Sequence, residues 1–294
     1  MEIFGLPLNF VMGQIVVGLV NGSFYAILSL GLAVIFGMLN IVNFVHGAIY
    51  MLGALLAWLL LTRAEIGYWW SLLIVPPIIG VLGCVLERTL LRRLYKIDHV
   101  FGILLTLGLA YIIEGLARYQ FGVAGMAFPS PSEFAGAYNL GFMRLPKYRV
   151  WVIVASLTVC LSTWLIIEKT RLGAYLRAAT ENPSIARTFG INVSLLVTLT
   201  YGLGVALAGF AGVLAAPIYQ VSPIMAHSLI IVVFAIVVIG GMGSILGSII
   251  TGLLLGLIEG ITRAYWPQGS TVVIFIVMIL VLILRPSGLF GKDN

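Results

Sequence analysis

Charge is the scarcest property of this sequence. Its 294 residues hold 16 Lys and Arg and 10 Asp and Glu, 9% of the chain, against about 25% in an ordinary soluble domain. So few charges cannot coat a water-soluble protein of this size, so the coat must be lipid. Cysteine is nearly absent: Cys84 and Cys160 both lie in apolar helical runs, which reads as two inert buried thiols and argues against a disulfide. With three histidines, and no carboxylate or cysteine beside His46, no metal site is expected. The sequence has no G-x-x-x-x-G-K-[ST] loop, nucleophile–base constellation or dinucleotide fingerprint, so ATP hydrolysis in the usual manner is excluded and an enzyme reading has little support. The basic residues fall in short clusters and form no continuous face, which leaves nucleic acid without a docking surface.

What is abundant is apolar: 61% of the residues. A bilayer core of about 30 Å is crossed by about 20 apolar residues of helix. Nine segments fit that scale: about 10–39, 43–62, 69–89, 100–121, 149–168, 194–216, 227–241, 244–264 and 269–285. The expected fold is therefore all-α, a single polytopic membrane domain over 1–294 with about nine spans (range 8–10) and some broken or re-entrant helices. The N-terminus carries Glu2 and no basic residue before a first apolar run too long for a cleaved leader, so no signal peptide is expected.

Orientation follows from the basic loops. Arg88, Arg92, Arg93 and Lys96 fall in one, Lys169, Arg171, Arg177 and Arg187 in another, and cytoplasmic loops carry such excess. Two spans separate them, which puts both on one side. The Pro-, Gly- and Ser-containing loop of about 122–148 then faces the other compartment, despite Arg144 and Lys147. The C-terminus, with Arg285 and Lys292, is cytoplasmic, and nine spans leave the N-terminus outside. Tyr68, Trp69 and Trp70, and later Tyr265 and Trp266, suit the headgroup layer.

Polar residues within apolar runs need partners or a wet passage. Asn21-Gly22-Ser23-Phe24-Tyr25 either breaks the first helix, lines a cavity, or marks close helix packing. Asn40, Asn43, His46 and Gly47 join the first two segments, as a pathway or gating element near the cytoplasmic mouth or as a plain turn. Gly240, Gly241, Gly243, Ser244 and Gly247 predict a bend that either meets a substrate or allows tight packing. Glu114–Arg118 and Glu259–Arg263 have i,i+4 spacing, which predicts ion pairs snorkelling at the outer edge, with a gate or docking surface as the sharper alternative. Ile113–Arg118 also resembles Ile258–Arg263 at an offset of 145, a hint of two parallel halves or a chance match.

The cytoplasmic segment of about 169–193 is polar and reads as helical, with Asn182 capping a second short helix that Pro183 opens. Such an element suits docking to a soluble partner. Three classes stay open on residues alone: subunit of a multi-protein transporter, stand-alone carrier or channel, and intramembrane enzyme.

The order and spacing of Asn21–Ala26 with Asn43–Gly47 and Leu52-Gly53-Ala54, the Gly173–Gly190 loop, and Gly240–Ser244 resemble the LivH-type permease subunit of bacterial branched-chain amino acid ABC importers. Urea and other small-molecule permeases look much alike. The resemblance implies an inner-membrane heterodimer with a related second permease, two cytoplasmic ATPase subunits holding ATP and Mg, and a periplasmic substrate-binding protein. It implies no cofactor in this chain. It makes Arg171, Gly173, Arg177, Ala178, Asn182, Ala186 and Gly190 a coupling element on the ATPase. Asn21, Ser23, Tyr25, Asn40, Asn43, His46, Gly47 and the Gly240–Ser244 bend are expected beside the translocation pathway.

Overall fold

A computed structural model of the chain describes residues 2–3, 6–39, 41–95 and 98–291; Asn40, Lys96 and Lys292 lie outside these. Among the described residues eleven α-helices follow one another: α1 (Leu8–Leu39), α2 (Val45–Ala64), α3 (Tyr68–Thr89), α4 (His99–Phe121), α5 (Lys147–Lys169), α6 (Arg171–Glu181), α7 (Pro183–Thr188), α8 (Val193–Ala215), α9 (Met225–Gly240), α10 (Ile245–Tyr265) and α11 (Val272–Leu284). Helix is the form an apolar segment takes in lipid, because it satisfies every backbone group internally. Two short pairings complete the structure: β1 (Glu2–Ile3) with β2 (Leu6–Pro7), and β3 (Ala137–Asn139) with β4 (Arg144–Pro146), both antiparallel.

Seven helices are long and apolar enough to cross a membrane, and α9 and α11 are shorter apolar helices. The chain is therefore a multi-pass membrane protein with nine apolar helices among the described residues. Their lengths differ widely: at 1.5 Å per residue, the 32 residues of α1 span about 48 Å and the 13 of α11 about 20 Å. α1, α2 and α8 form the interior, whereas α3, α4 and α5 turn apolar faces outward, with Leu73, Val81 and Leu116 about two-thirds exposed. Those faces meet lipid.

Helices in lipid gain by close van der Waals contact, which small residues permit. α1 and α8 cross where Gly31 meets Gly204, and the contact is reciprocal. A Cβ on Gly31 would come within 2.6 Å of the Gly204 carbonyl oxygen, and one on Gly204 within 2.7 Å of the Gly31 oxygen. Along α1, Gly18 and Gly22 face Gly252, Gly256 and Gly260 of α10 in the same manner. The run Asn21–Tyr25 thus does not break the first helix: α1 is continuous, and the glycines there serve packing.

The packing contains an internal symmetry, but not the expected one. Apart from α1 with α5, which stands outside the pattern, the principal neighbours are α1 with α10, α3 with α8, α2 with α8, α1 with α9, α2 with α3, α9 with α10, α2 with α4, and α9 with α11. Exchanging α1 for α8, α2 for α9, α3 for α10 and α4 for α11 turns each of these pairs into another. The pairs α1–α8 and α2–α9 map onto themselves, so the axis passes through the Gly31–Gly204 crossing. One crossing, α5, separates the two quartets and reverses the second. The halves are inverted, with a pseudo-two-fold axis in the membrane plane. This corrects the parallel halves read from the 145-residue offset, which pairs α4 with α10 although the fold pairs α4 with α11. Inversion agrees with nine crossings, as four plus one plus four.

Two faces result. On one, the start of α1 meets the β3–β4 hairpin, where a Cβ on Gly13 would touch Met143, and Met126 bridges to Val221 between α8 and α9. The opposite face carries α6, α7, the turn Leu91–Leu94, the α9–α10 turn and the C-terminal segment. The short β1–β2 pairing packs at the start of α1 on the first face, and the segment that follows α11, as far as Gly291, packs on the second.

Candidate functional site

A cavity of about 400 Å³ opens beside the hairpin face, between α1, α5, α10 and the α8–α9 connection. Its apolar wall includes Val17, Val20, Phe24, Ile218 and Leu229, and its polar end Asn21, Tyr25, Arg149, Tyr219, Glu259 and Arg263. These side chains are joined. The Tyr25 hydroxyl donates to Oε2 of Glu259 at 2.7 Å, and Arg263 pairs with Oε1 of the same carboxylate. The Tyr219 hydroxyl donates to Oδ1 of Asn21 at 3.0 Å, bridging the α8–α9 connection to α1. Burial pushes the Tyr219 phenol above its ordinary pKa, and nearby Arg149 partly opposes that rise, so the ring is neutral and donating. Sequence reasoning singled out Asn21, Tyr25, Glu259 and Arg263 separately; the fold brings them to one place.

The i,i+4 pairs correct a second expectation. Glu259 and Glu114 are 3% and 5% exposed, so neither carboxylate snorkels. Each is held inside, Glu259 by Tyr25 and Arg263, Glu114 by Arg118 and Nδ1 of His227 at 3.3 Å. The arginines remain part-exposed, which lets the pairs keep water on one side.

Ser23, Asn43, His46 and Gly47 do not line this cavity. Ser23 donates to the Val20 carbonyl within its own helix. Asn43 and His46 are each 1% exposed: Nδ2 of Asn43 donates to the Tyr201 hydroxyl of α8 at 3.1 Å, and Nε2 of His46 meets the Leu28 carbonyl of α1 at 3.0 Å. Both belong to the protein interior, and they knit the start of α2 to the central crossing. A Cβ on Gly47 would press on α9 at Ala226 and Ile230.

The glycine-rich bend lies on the opposite face. Gly241 adopts φ of 99°, and the C-terminal segment crosses it, with a Cβ there placed 2.8 Å from the Gly291 Cα. Leu289 and Phe290 donate backbone hydrogen bonds to Ile239 and Gly240, and Ser244 caps α10 by accepting from Gly247. The bend is a tight turn that seats the segment ending at Gly291. A second cavity, about 100 Å³, lies beside it. Ala33, Val34, Gly37 and Met38 of α1 line it with Arg177 of α6 and Gly243.

α1 therefore lines a cavity at each face, and between them Ala26–Leu32 is buried throughout. Seven residues of helix make a barrier of about 10 Å.

The α6–α7 element forms as expected. Asn182 accepts from the Ile185 amide and Pro183 opens α7. Gly173 lies against the last turn of α5, and Arg177 reaches Glu168 at 3.4 Å. Between α6, α7 and the start of α8 is a shallow cavity of about 780 Å³, beside which Phe189 is 81% exposed. A buried network that charge patterning did not reveal holds this region to the bundle. Glu87, fully buried, accepts from Arg92 through both oxygens, from Tyr95 at 2.8 Å and from Thr198 of α8 at 2.6 Å. Among the described residues no group of three His, Cys, Asp or Glu is placed to hold a metal ion. Cys84 and Cys160 are free thiols.

Known proteins resemble the chain along most of its length. The family model described as branched-chain amino acid transport system / permease component matches residues 14–282. The high-affinity branched-chain amino acid transport system permease protein LivH of Escherichia coli (strain K12) is 27% identical over 295 residues, covering 94% of each chain. The corresponding permease protein BraD of Pseudomonas aeruginosa is 29% identical, covering 96% of each. LivM of Escherichia coli (strain K12), a permease protein of the same description, is 29% identical over 90% of this chain and 67% of its own length. No solved structure matches.

Proposed function

The chain belongs to the branched-chain amino acid transport system permease family, and from that premise we propose that it is the permease subunit of an ATP-driven importer moving branched-chain amino acids across the bacterial inner membrane. The observation that carries this reading is the hairpin-face cavity, closed by a buried barrier from a second cavity beside α6. A pathway with alternating access needs two wet ends and an occluded middle around a fixed axis. An apolar wall and a charged end suit a zwitterion with a hydrophobic side chain.

In this reading the hairpin face is periplasmic and receives substrate from a binding protein, while α6 and α7 face the cytoplasm. Phe189 and Ile185, both exposed, with Arg171, Arg177, Ala178, Asn182 and Gly190, form the surface that a cytoplasmic ATPase engages, while Gly173 and Ala186, both buried, seat the element that carries it. ATP and Mg belong to two such subunits. A second, related permease completes the membrane part, and the similarity to both LivH and LivM supports a pairing of unlike chains. His46, packed on the Ala26–Leu32 barrier, and Asn43 sit where movement of α2 against α1 would open it. Movement of α6 on the end of α5 reaches the lower cavity through Arg177.

The test is reconstitution in liposomes with the binding protein and ATPases. Uptake of leucine, isoleucine or valine that requires ATP and all components is expected. Transport by this chain alone would identify a stand-alone carrier, and uptake of urea in place of amino acids would reassign the substrate.

A further inference from the structure

Resting on that reading, we propose that Arg149 is the carboxylate anchor of the hairpin-face cavity, so that this chain itself selects solutes bearing a carboxylate. Three charged side chains line the cavity: Arg149, Arg263 and Glu259. Arg263 is spent on Glu259. Arg149 is half-buried in the first turn of α5, and no carboxylate among the described residues lies within ion-pair distance of its guanidinium. The cavity thus holds one positive charge more than it neutralises. A cation withdrawn from water without a partner is costly, and an incoming carboxylate removes that cost through paired charge-assisted hydrogen bonds, which the planar guanidinium fork suits.

The remaining groups fit the rest of an amino acid. Asn21 gives its carbonyl oxygen to Tyr219, leaving its amide nitrogen as a second donor near the mouth. Glu259 accepts one bond at each oxygen, and each oxygen has a further lone pair for an ammonium. Val17, Val20, Phe24 and Leu229 supply the apolar wall. At about 400 Å³ the cavity is near the small end of ligand sites. Urea or a short amide would leave the guanidinium unneutralised, and a cationic solute would add to the excess charge.

Saturation-transfer NMR on the importer complex, purified in detergent without binding protein, tests this with four probes: isoleucine, isovalerate, isoleucinamide and urea. The expected result is transfer to isoleucine and isovalerate and much less to the other two. Arg149→Gln should weaken isoleucine binding about tenfold or more, equivalent to about 1.4 kcal/mol, with R149K intermediate and an unchanged unfolding midpoint showing that both variants are folded. Equal binding of isoleucine and isoleucinamide by the unaltered protein would overturn the proposal, whether or not a variant folds. So would Arg149→Gln binding isoleucine as before, which leaves the permease reading intact. Arg149-dependent binding of isovalerate without isoleucine would retain the anchor and remove the amino-acid substrate.

Discussion

The Tyr25 hydroxyl donates to Glu259 across 234 positions of sequence, and this bond ties α1 to α10 at the floor of the hairpin-face cavity. Tyr25→Phe removes a donor from a carboxylate that is 3% exposed. A loss of about 1–3 kcal/mol is expected, read as a lower unfolding midpoint in detergent. Glu259→Gln should cost less, because the amide still accepts from Tyr25 and Arg263, 36% exposed, rehydrates.

Gly31→Val should act at the centre of the pseudo-symmetry. The side chain would enter the Gly204 backbone and the His46 ring together, where overpacking typically costs about 1–3 kcal/mol. Gly108→Ala in α4 is the contrast: nothing lies within 4 Å of its added Cβ, and alanine improves a helix interior by up to about 1 kcal/mol. Thermal unfolding of the two purified variants should move in opposite directions.

Arg92→Ala should destabilise the α6–α7 face more than Glu87→Gln. The first strands a fully buried carboxylate, while the second leaves an arginine side chain that is 37% exposed and free to hydrate. Breaking a fully buried pair so that a charge is left inside costs about 3–5 kcal/mol; the loss here should be smaller, because Arg92 is part-exposed and Glu87 keeps the bonds from Tyr95 and Thr198. Tyr95, whose phenol burial and Glu87 push above its ordinary pKa, remains a neutral donor in both variants. Hydrogen exchange at the start of α8 is the local readout.

Phe189→Asp should release the ATPase while leaving the membrane fold as it is. Phe189 is 81% exposed beside the α6–α7 cavity, so its loss removes no interior packing. Co-purification of the ATPase should fall and the unfolding midpoint stay constant. Undiminished co-purification would place the docking surface elsewhere.

The apolar runs disclosed the nine helices, because length and hydropathy are local properties of the chain. Asn182-Pro183 and the glycines at 240–243 disclosed a cap and a turn for the same reason. What stayed hidden depends on distance. Nothing near Glu259 in sequence announces Tyr25, and Arg149 follows Lys147 as one more basic residue at a helix start. The two I-E-G-x-x-R stretches invited a parallel reading because identical letters outweigh geometry on the page. An inverted half preserves packing neighbours, and neighbours are not written in residue order. Gly31 and Gly204 meet through their lack of side chains, which leaves no chemical signature to align.

Because α5 is an unmatched crossing, the described residues before α1 and those after α11 lie at opposite faces of the helix bundle. A water-soluble tether from Gly291 of one copy to Pro7 of another would have to pass around the lipid-facing helices. A single-chain fusion made at those residues would instead need an additional hydrophobic segment to carry the connection across.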